Sequence, residues 1–286
     1  MKESQKLTYE NKTLIKSLSG HSGCDVALLY DHAKKRKLVR KKSSSIDYNS
    51  RLLLQMTKQN AHNSRIIHRP TVYTHGYDKS GLFYYDMEFI MGRRLDNLHD
   101  LHMSIDCSLV DKIFDNVIRC YEDMASNSQK VDCSTVIFEK ISALKKKSVL
   151  KEEKIKKYFD LILAEDWNIP TGQLSHGDLT FENIIYADNK VYFIDFLDSF
   201  LETYLIDISK IIFDLRCFWS WRNLKRKPIV RNIFVLRKIE KTSLYLEHKS
   251  AVNKLVLLHI LRILPYAKSK ENIDYLIRCL ENEKQH

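Results

Sequence analysis

The feature that most constrains this chain is a change of hydrophobic period near Gly92. Before it, apolar residues come in short alternating runs: TLIKSL at 13–18, DVALLY at 25–30 and KLVRK at 37–41, separated by SGHSG and DHAKKR. Such runs predict three antiparallel strands joined by tight turns. Ile46, Leu52, Leu53 and Met56 then fall at helical spacing over 46–60, and strand character returns in RPTVYTHGYDKSGLFYYDMEFIMG, broken at Pro70, Gly81 and Gly92. Beyond Gly92 the period becomes helical, at 108–125, over 134–164 in two or three pieces, and near 201–216, 229–246, 250–264 and 271–283. The exception is 184–196, where IIY, the turn ADNK and VYFIDF predict a β-hairpin set among helices. The expected fold class is therefore α+β, with a small antiparallel-sheet lobe over 1–91 and a larger, mostly helical lobe over 92–286.

Composition removes several alternatives. With 286 residues, 44% of them hydrophobic and 29% charged, the chain can bury a sizeable core and is neither disordered nor fibrous. Its six cysteines (Cys24, Cys107, Cys120, Cys133, Cys217 and Cys279) form no C-x-x-C pair. That argues against a zinc knuckle or a short disulfide framework and suits a reducing cytoplasm. The start, MKESQKLTYE, lacks an apolar core segment, and the longest apolar run, LVLLHILRIL, is too short to cross a bilayer, so neither signal peptide nor membrane span is expected. The net charge of +11 is uneven: 1–150 carries 25 basic and 17 acidic residues, 151–200 carries 5 and 10, and 201–286 carries 17 and 9. An acidic middle between basic flanks suits carboxylates gathered for a cation, in surroundings that attract an anion.

The chemistry concentrates in LSHGDLTFENIIYADNKVYFIDFLDS, residues 174–199. His176, Asp178 and Asn183 form H-x-D-x-x-x-x-N on a loop just before the hairpin, and Asp195 ends the hairpin's second strand. Phosphoryl transfer needs such a set: one carboxylate to orient the attacking hydroxyl, and an amide with a second carboxylate to hold magnesium on the phosphates.

On these residues the chain resembles the aminoglycoside phosphotransferase and choline kinase family, small-molecule kinases with a protein-kinase-like fold in two lobes. HGDLTFEN is similar to the family's catalytic loop. The resemblance implies that Asp178 is the catalytic base, that Asn183 and Asp195 bind Mg2+, and that Asp207, in YLIDISK, braces the catalytic loop. Asp198 lies near the implied metal. In the N-terminal lobe, Gly20, Ser22 and Gly23 of SLSGHSGCDV are placed where a phosphate-covering loop would lie. One of the adjacent cations Lys41 and Arg40 would reach the phosphates, since strand alternation sends the two to opposite faces; Lys41 is favoured. The strand YYDMEFIMG resembles the segment that binds the purine, through backbone groups of Glu88 and Ile90 with Met87 lining the base pocket. Between Lys41 and Asp78 the only acidic residue is Asp47, ahead of the helix, so Gln55 or Gln59 is expected to hydrogen-bond the lysine in place of a helix glutamate.

The resemblance implies ATP or GTP as phosphoryl donor, Mg2+ as cofactor and a small-molecule hydroxyl as acceptor. The H-R-D, D-F-G and A-P-E strings of protein kinases are missing. A nucleic-acid-binding role, suggested by KKRKLVRKK, has no accompanying motif and is not expected. A pseudokinase is disfavoured because Asp178, Asn183 and Asp195 are all present. Arg222, Lys225, Arg226, Lys227, Arg231, Arg237 and Lys238 crowd the segment that should wall the acceptor. They disfavour a polycation there and suit an anionic acceptor, such as a saccharide precursor of a surface glycan.

Overall fold

The computed structural model describes residues 8–9, 11–18, 24–99, 107–151, 153–172, 175–267 and 269–283. The chain divides into two compact units, one of residues 1–92 with 187–198, the other of 93–186 with 199–286. The segment that carries Asp195 thus groups with the N-terminal strands, and residues 176–186 group with the helical unit.

The first unit contains β1 (Thr8–Tyr9), β2 (Lys12–Leu18), β3 (Cys24–Asp31), β4 (Arg36–Ser43), helix α1 (Asn49–Ala61), β5 (Ile67–His68), β6 (Val72–Tyr77) and β7 (Phe83–Glu88). Six of these strands form one antiparallel sheet in the order β1-β2-β3-β4-β7-β6. The pleat sorts its residues: Val39, Phe83, Tyr85 and Met87 pack with Cys24 and with Leu52 and Met56, one turn apart on α1. On the opposite face, Asp86 takes Arg40 (2.6 and 2.8 Å), Lys12 (2.7 Å) and Thr74 (3.3 Å).

Beyond Gly92 come β8 (Arg93–Arg94), α2 (Cys107–Ser126), β9 (Gln129–Asp132), α3 (Ser134–Lys145), α4 (Glu153–Leu163), β10 (Asn168–Thr171), β11 (Ile184–Ala187) and β12 (Lys190–Phe193). Next are α5 (Tyr204–Cys217), α6 (Ile229–Glu240), α7 (Ser243–Leu246), α8 (Lys249–Ile263) and α9 (Lys270–Glu283). β8 pairs with β11, β9 with β10, and β5, in the first unit, runs parallel to β12. The turn expected within ADNK is present: Asp188 and Asn189 both take positive φ (48° and 58°), as tight hairpin turns require.

α5 is buried on almost every side, from Tyr204 to Leu215, and packs against α8, whose middle is equally buried. A helix buried on nearly every side belongs at the centre of its unit. Thr203 caps it, accepting from the Leu205 N–H, and Phe218 ends it in the left-handed region. Two expectations are corrected: the helix expected over 229–246 breaks at Lys241–Thr242 into α6 and α7, and Asp195, expected at the end of the hairpin's second strand, lies beyond β12, which ends at Phe193; β9 and β10 add a short antiparallel pair. Among the described residues no helix is long and apolar enough to cross a membrane.

Candidate active site

Residues 176–181 are organised by one face of α5. Asp207, Lys210 and Asp214 are spaced three and four apart, so they share a side of the helix. The Asp207 carboxylate accepts from the backbone N–H groups of His176 (2.6 Å) and Gly177 (2.8 Å) and from the Tyr121 hydroxyl (3.1 Å). One turn on, Lys210 Nζ lies 2.9 Å from Asp178 Oδ1. A further turn on, Asp214 accepts from the Phe181 N–H (2.8 Å) and from Ser220 through its N–H (2.7 Å) and hydroxyl (2.6 Å). Residues 176–181 are thus pinned in order along the helix. Gly177 sits at φ +89°, a conformation that favours glycine between the two gripped residues.

Burial and charge act differently on the two aspartates. Burial would raise the Asp178 carboxyl, but the ammonium of Lys210, His176 and Arg262 outweigh it and hold its pKa below the usual range. It is therefore ionised at neutral pH. Asp214 is pushed up to about 6, because burial outweighs its hydrogen bonds from Ser220 and Phe181. His176 is buried, and its Nδ1 accepts from the Asp178 N–H (3.3 Å), which is a structural role. Asn183 donates its side-chain amide to the Asp178 carbonyl (2.8 Å).

In the first unit, β4 carries Arg40 and Lys41 to opposite sides of the sheet. Arg40 is taken up by Asp86, while Lys41, opposite Tyr85 in register, forms an ion pair with Asp195. Burial alone would lower the Lys41 ammonium, but Asp195 and the Tyr85 side chain reverse this and hold its pKa above the ordinary value. The Tyr85 hydroxyl is pushed up to about 12 by burial, although the charge of Lys41 opposes this. Asp195 adopts a left-handed backbone (φ 62°), which aspartate tolerates better than most side chains.

The expected glutamine partner is not found. Gln55 donates to the Tyr48 hydroxyl (3.2 Å) and Gln59 to the Pro70 carbonyl (2.8 Å). Helix α1 acts instead on the segment that follows Asp195: Lys58 Nζ donates to the Leu197 carbonyl (2.9 Å), Arg51 Nε to Asp198 (2.8 Å), and His62 packs 5.2 Å from the Phe196 ring. Arg51 and Lys58 lie seven apart on one stripe of α1, a spacing that the sequence itself carries.

The remaining expected residues are placed as follows. Met87 is buried, with its sulfur 3.6 Å from Gln59 Nε2. The Glu88 N–H donates to the Thr71 carbonyl (2.9 Å), leaving only its carbonyl for a base, and the Ile90 carbonyl accepts from Gly92 (3.1 Å), leaving its N–H. Gly20, Ser22 and Gly23 lie outside the described residues. Of the seven basic residues expected to wall the acceptor, four have partners within the protein. Lys238 pairs with Asp111 and Asp115, Lys227 donates to the Tyr275 hydroxyl (3.0 Å), and Arg222 is 3.8 Å from Glu182. Arg231 is buried over the Trp221 ring. Trp221 is core: fully buried, it donates to the Asp96 carbonyl (2.8 Å) and meets Phe181 edge-on.

Among solved structures, the chain aligns with aminoglycoside phosphotransferase APH(4)-Ia at a TM-score of 0.63 and 14% identity, over 94% of this chain and 91% of that one. The chain has a kinase-like fold. A ternary complex of a thermostable mutant of that phosphotransferase with AMP-PNP and hygromycin B gives a TM-score of 0.62 at 14% identity, over 94% and 92%. A putative fructosamine-3-kinase from Haemophilus somnus 129PT gives 0.57 at 14% identity, over 95% and 90%. No family profile and no curated protein sequence matches the chain. Asn183 in one unit and Asp195 in the other each offer a hard oxygen of the kind magnesium takes.

Proposed function

We propose that this protein is a small-molecule kinase, transferring the γ-phosphoryl group of ATP or GTP to a hydroxyl of a small acceptor, with an anionic saccharide as the favoured class. The observation that carries the reading is the α5 clamp. Three buried hydrogen bonds to Asp207 and Asp214 fix the backbone on both sides of Asp178, while Lys210 keeps Asp178 ionised. Because the transition state of phosphoryl transfer is loose, a fixed carboxylate that orients the acceptor hydroxyl is the contribution the chain can make there.

In this reading Asp178 orients the acceptor and takes its proton, Asn183 and Asp195 hold Mg2+, which when bound neutralises phosphate charge, and Lys41 binds the phosphates. Met87, the Glu88 carbonyl and the Ile90 N–H receive the base, and Gly20, Ser22 and Gly23 cover the phosphates. The cations of KKRKLVRKK support this over a nucleic-acid role, since Arg40, Lys41 and Lys42 each pair with a carboxylate. A reducing, cytoplasmic setting accords with the buried free thiols.

The test is transfer from labelled ATP across a broad panel of hydroxyl acceptors. Asp178→Asn should lower turnover by about 100-fold or more while Mg2+-dependent nucleotide binding persists. An Asp178→Asn protein as active as the parent would refute the assignment.

A further inference from the structure

Three of the basic residues expected to wall the acceptor, Lys225, Arg226 and Arg237, are exposed, and they share the surface with apolar side chains. α6 is anchored by one side only. Val235 and Ile239 are buried there, Asn232 donates to the Leu215 carbonyl of α5 (3.3 Å), and Lys238 reaches Asp111 and Asp115 of α2. On the other side Ile229 and Ile233 stand four apart, as do Val230 and Phe234, so the four form one stripe. Val230 is 83% exposed, and Ile229, Ile233, Phe234 and, in the preceding turn, Leu224 are between 40% and 55% exposed. The stripe continues beyond Ile233 as Arg237 and Lys241, both exposed, while Lys225 and Arg226 stand exposed next to Leu224. Among the described residues none of these four cations has a carboxylate partner. The only acidic residue from 223 to 241 is Glu240, which is taken by Arg216 (2.8 Å). An exposed apolar patch rimmed by charge marks an interaction surface.

We propose that the exposed side of α6 and the turn before it dock on an anionic lipid bilayer. The helix lies in the interface, with Ile229, Val230, Ile233 and Phe234 turned to hydrocarbon and Lys225, Arg226, Arg237 and Lys241 on lipid phosphates. The two kinds of side chain together select this partner. A nucleic acid would take the cations and leave the apolar stripe in water. An anionic bilayer meets both, since it offers phosphates at its surface and hydrocarbon within about 5–10 Å of them. Long Lys and Arg stems let the charges stay with the phosphates while the helix sinks. A second copy of this chain fits less well, because a two-fold contact would set a patch whose unpaired charges are all positive against itself. The inference goes beyond the kinase reading and does not depend on it: none of these residues belongs to the α5 clamp or to the Lys41–Asp195 pair.

The test is co-sedimentation of the full-length protein, without nucleotide, with vesicles of phosphatidylglycerol and phosphatidylcholine in equal parts and with vesicles of phosphatidylcholine alone. Binding to the anionic vesicles should be tighter by about tenfold or more and should weaken as salt is raised. Each Lys or Arg near such a surface contributes about fivefold, so Lys225→Gln with Arg226→Gln should weaken binding by about 25-fold. Val230→Ser with Phe234→Ser should weaken it by about tenfold or more. All four positions are exposed, so both variants keep the fold. Equal affinity for the two kinds of vesicle, or no binding to either, would overturn the proposal. So would anionic-vesicle binding that survives Val230→Ser with Phe234→Ser undiminished, since charge would then act alone. Equally tight binding to soluble polyglutamate would reassign the patch to an acidic protein partner. A dimer in sedimentation velocity that the two serine substitutions abolish, with no vesicle binding, would reassign it to a second copy.

Discussion

Replacing Asp207 by asparagine tests the clamp at its most loaded point. The carboxylate accepts from two buried backbone N–H groups and one tyrosine hydroxyl. Asparagine of the same shape keeps one oxygen for one loop N–H and turns its own NH2 group towards the other. A hydrogen bond to a charged group contributes about 1.5–3 kcal/mol, and a buried donor left unsatisfied costs about 1–3 kcal/mol. The sum for Asp207→Asn is about 3–5 kcal/mol, against a typical total of about 5–15 kcal/mol, so the variant should fold but lose a large share of its stability. Urea denaturation followed by tryptophan fluorescence reads that loss as a shift in midpoint at constant slope. Native-state amide exchange should show His176 and Gly177 losing protection ahead of the sheet around Lys41. A change below about 1 kcal/mol with unaltered protection at both amides would show that Asp207 does not hold the loop.

Other consequences follow from buried charge. Arg40→Met strips Asp86 of its bidentate partner and leaves it with Lys12 and Thr74; breaking one side of a buried pair should cost about 3 kcal/mol in urea denaturation, and a neutral result would contradict the ion-pair reading. Acid should weaken the fold between pH 6.5 and 4. Burial, with the charge of Arg69, pushes His62 down to about 4, and burial with Lys210 and Arg262 holds His259 well below its ordinary value. The unfolded chain therefore binds two more protons there than the native one, while Asp214, pushed up to about 6, binds one more in the native state. The net uptake on unfolding is roughly one proton, so stability should fall by about 1.4 kcal/mol per pH unit on acidification. Stability that stays flat or rises as the pH drops through this window would refute that balance.

Much of the fold was legible because the sheet and the helices bury different periods. The alternating runs of β3 and β4, the Leu52 and Met56 stripe of α1, and the apolar length of α5 each specify a local conformation whose hydrophobic face must be covered. The hairpin that separates Asp178 and Asn183 from Asp195 was legible for a related reason: its turn residues, Asp188 and Asn189, announce it. The choice between Arg40 and Lys41 was not legible, since neighbouring strand residues differ only in face, and the face was decided by Asp86 across the sheet. Nor could local sequence show that α1 secures the Asp195 segment through Lys58 and Arg51, or that Lys210 and Arg262 supply the charge around Asp178. Those contacts join residues from 32 to 147 positions apart, and pairing at that separation is set by how the elements pack. Sequence by itself determined which residues could do chemistry and on which elements they ride; the tertiary structure decided which carboxylate each cation meets, because an ion pair depends on a few ångströms that no spacing rule carries.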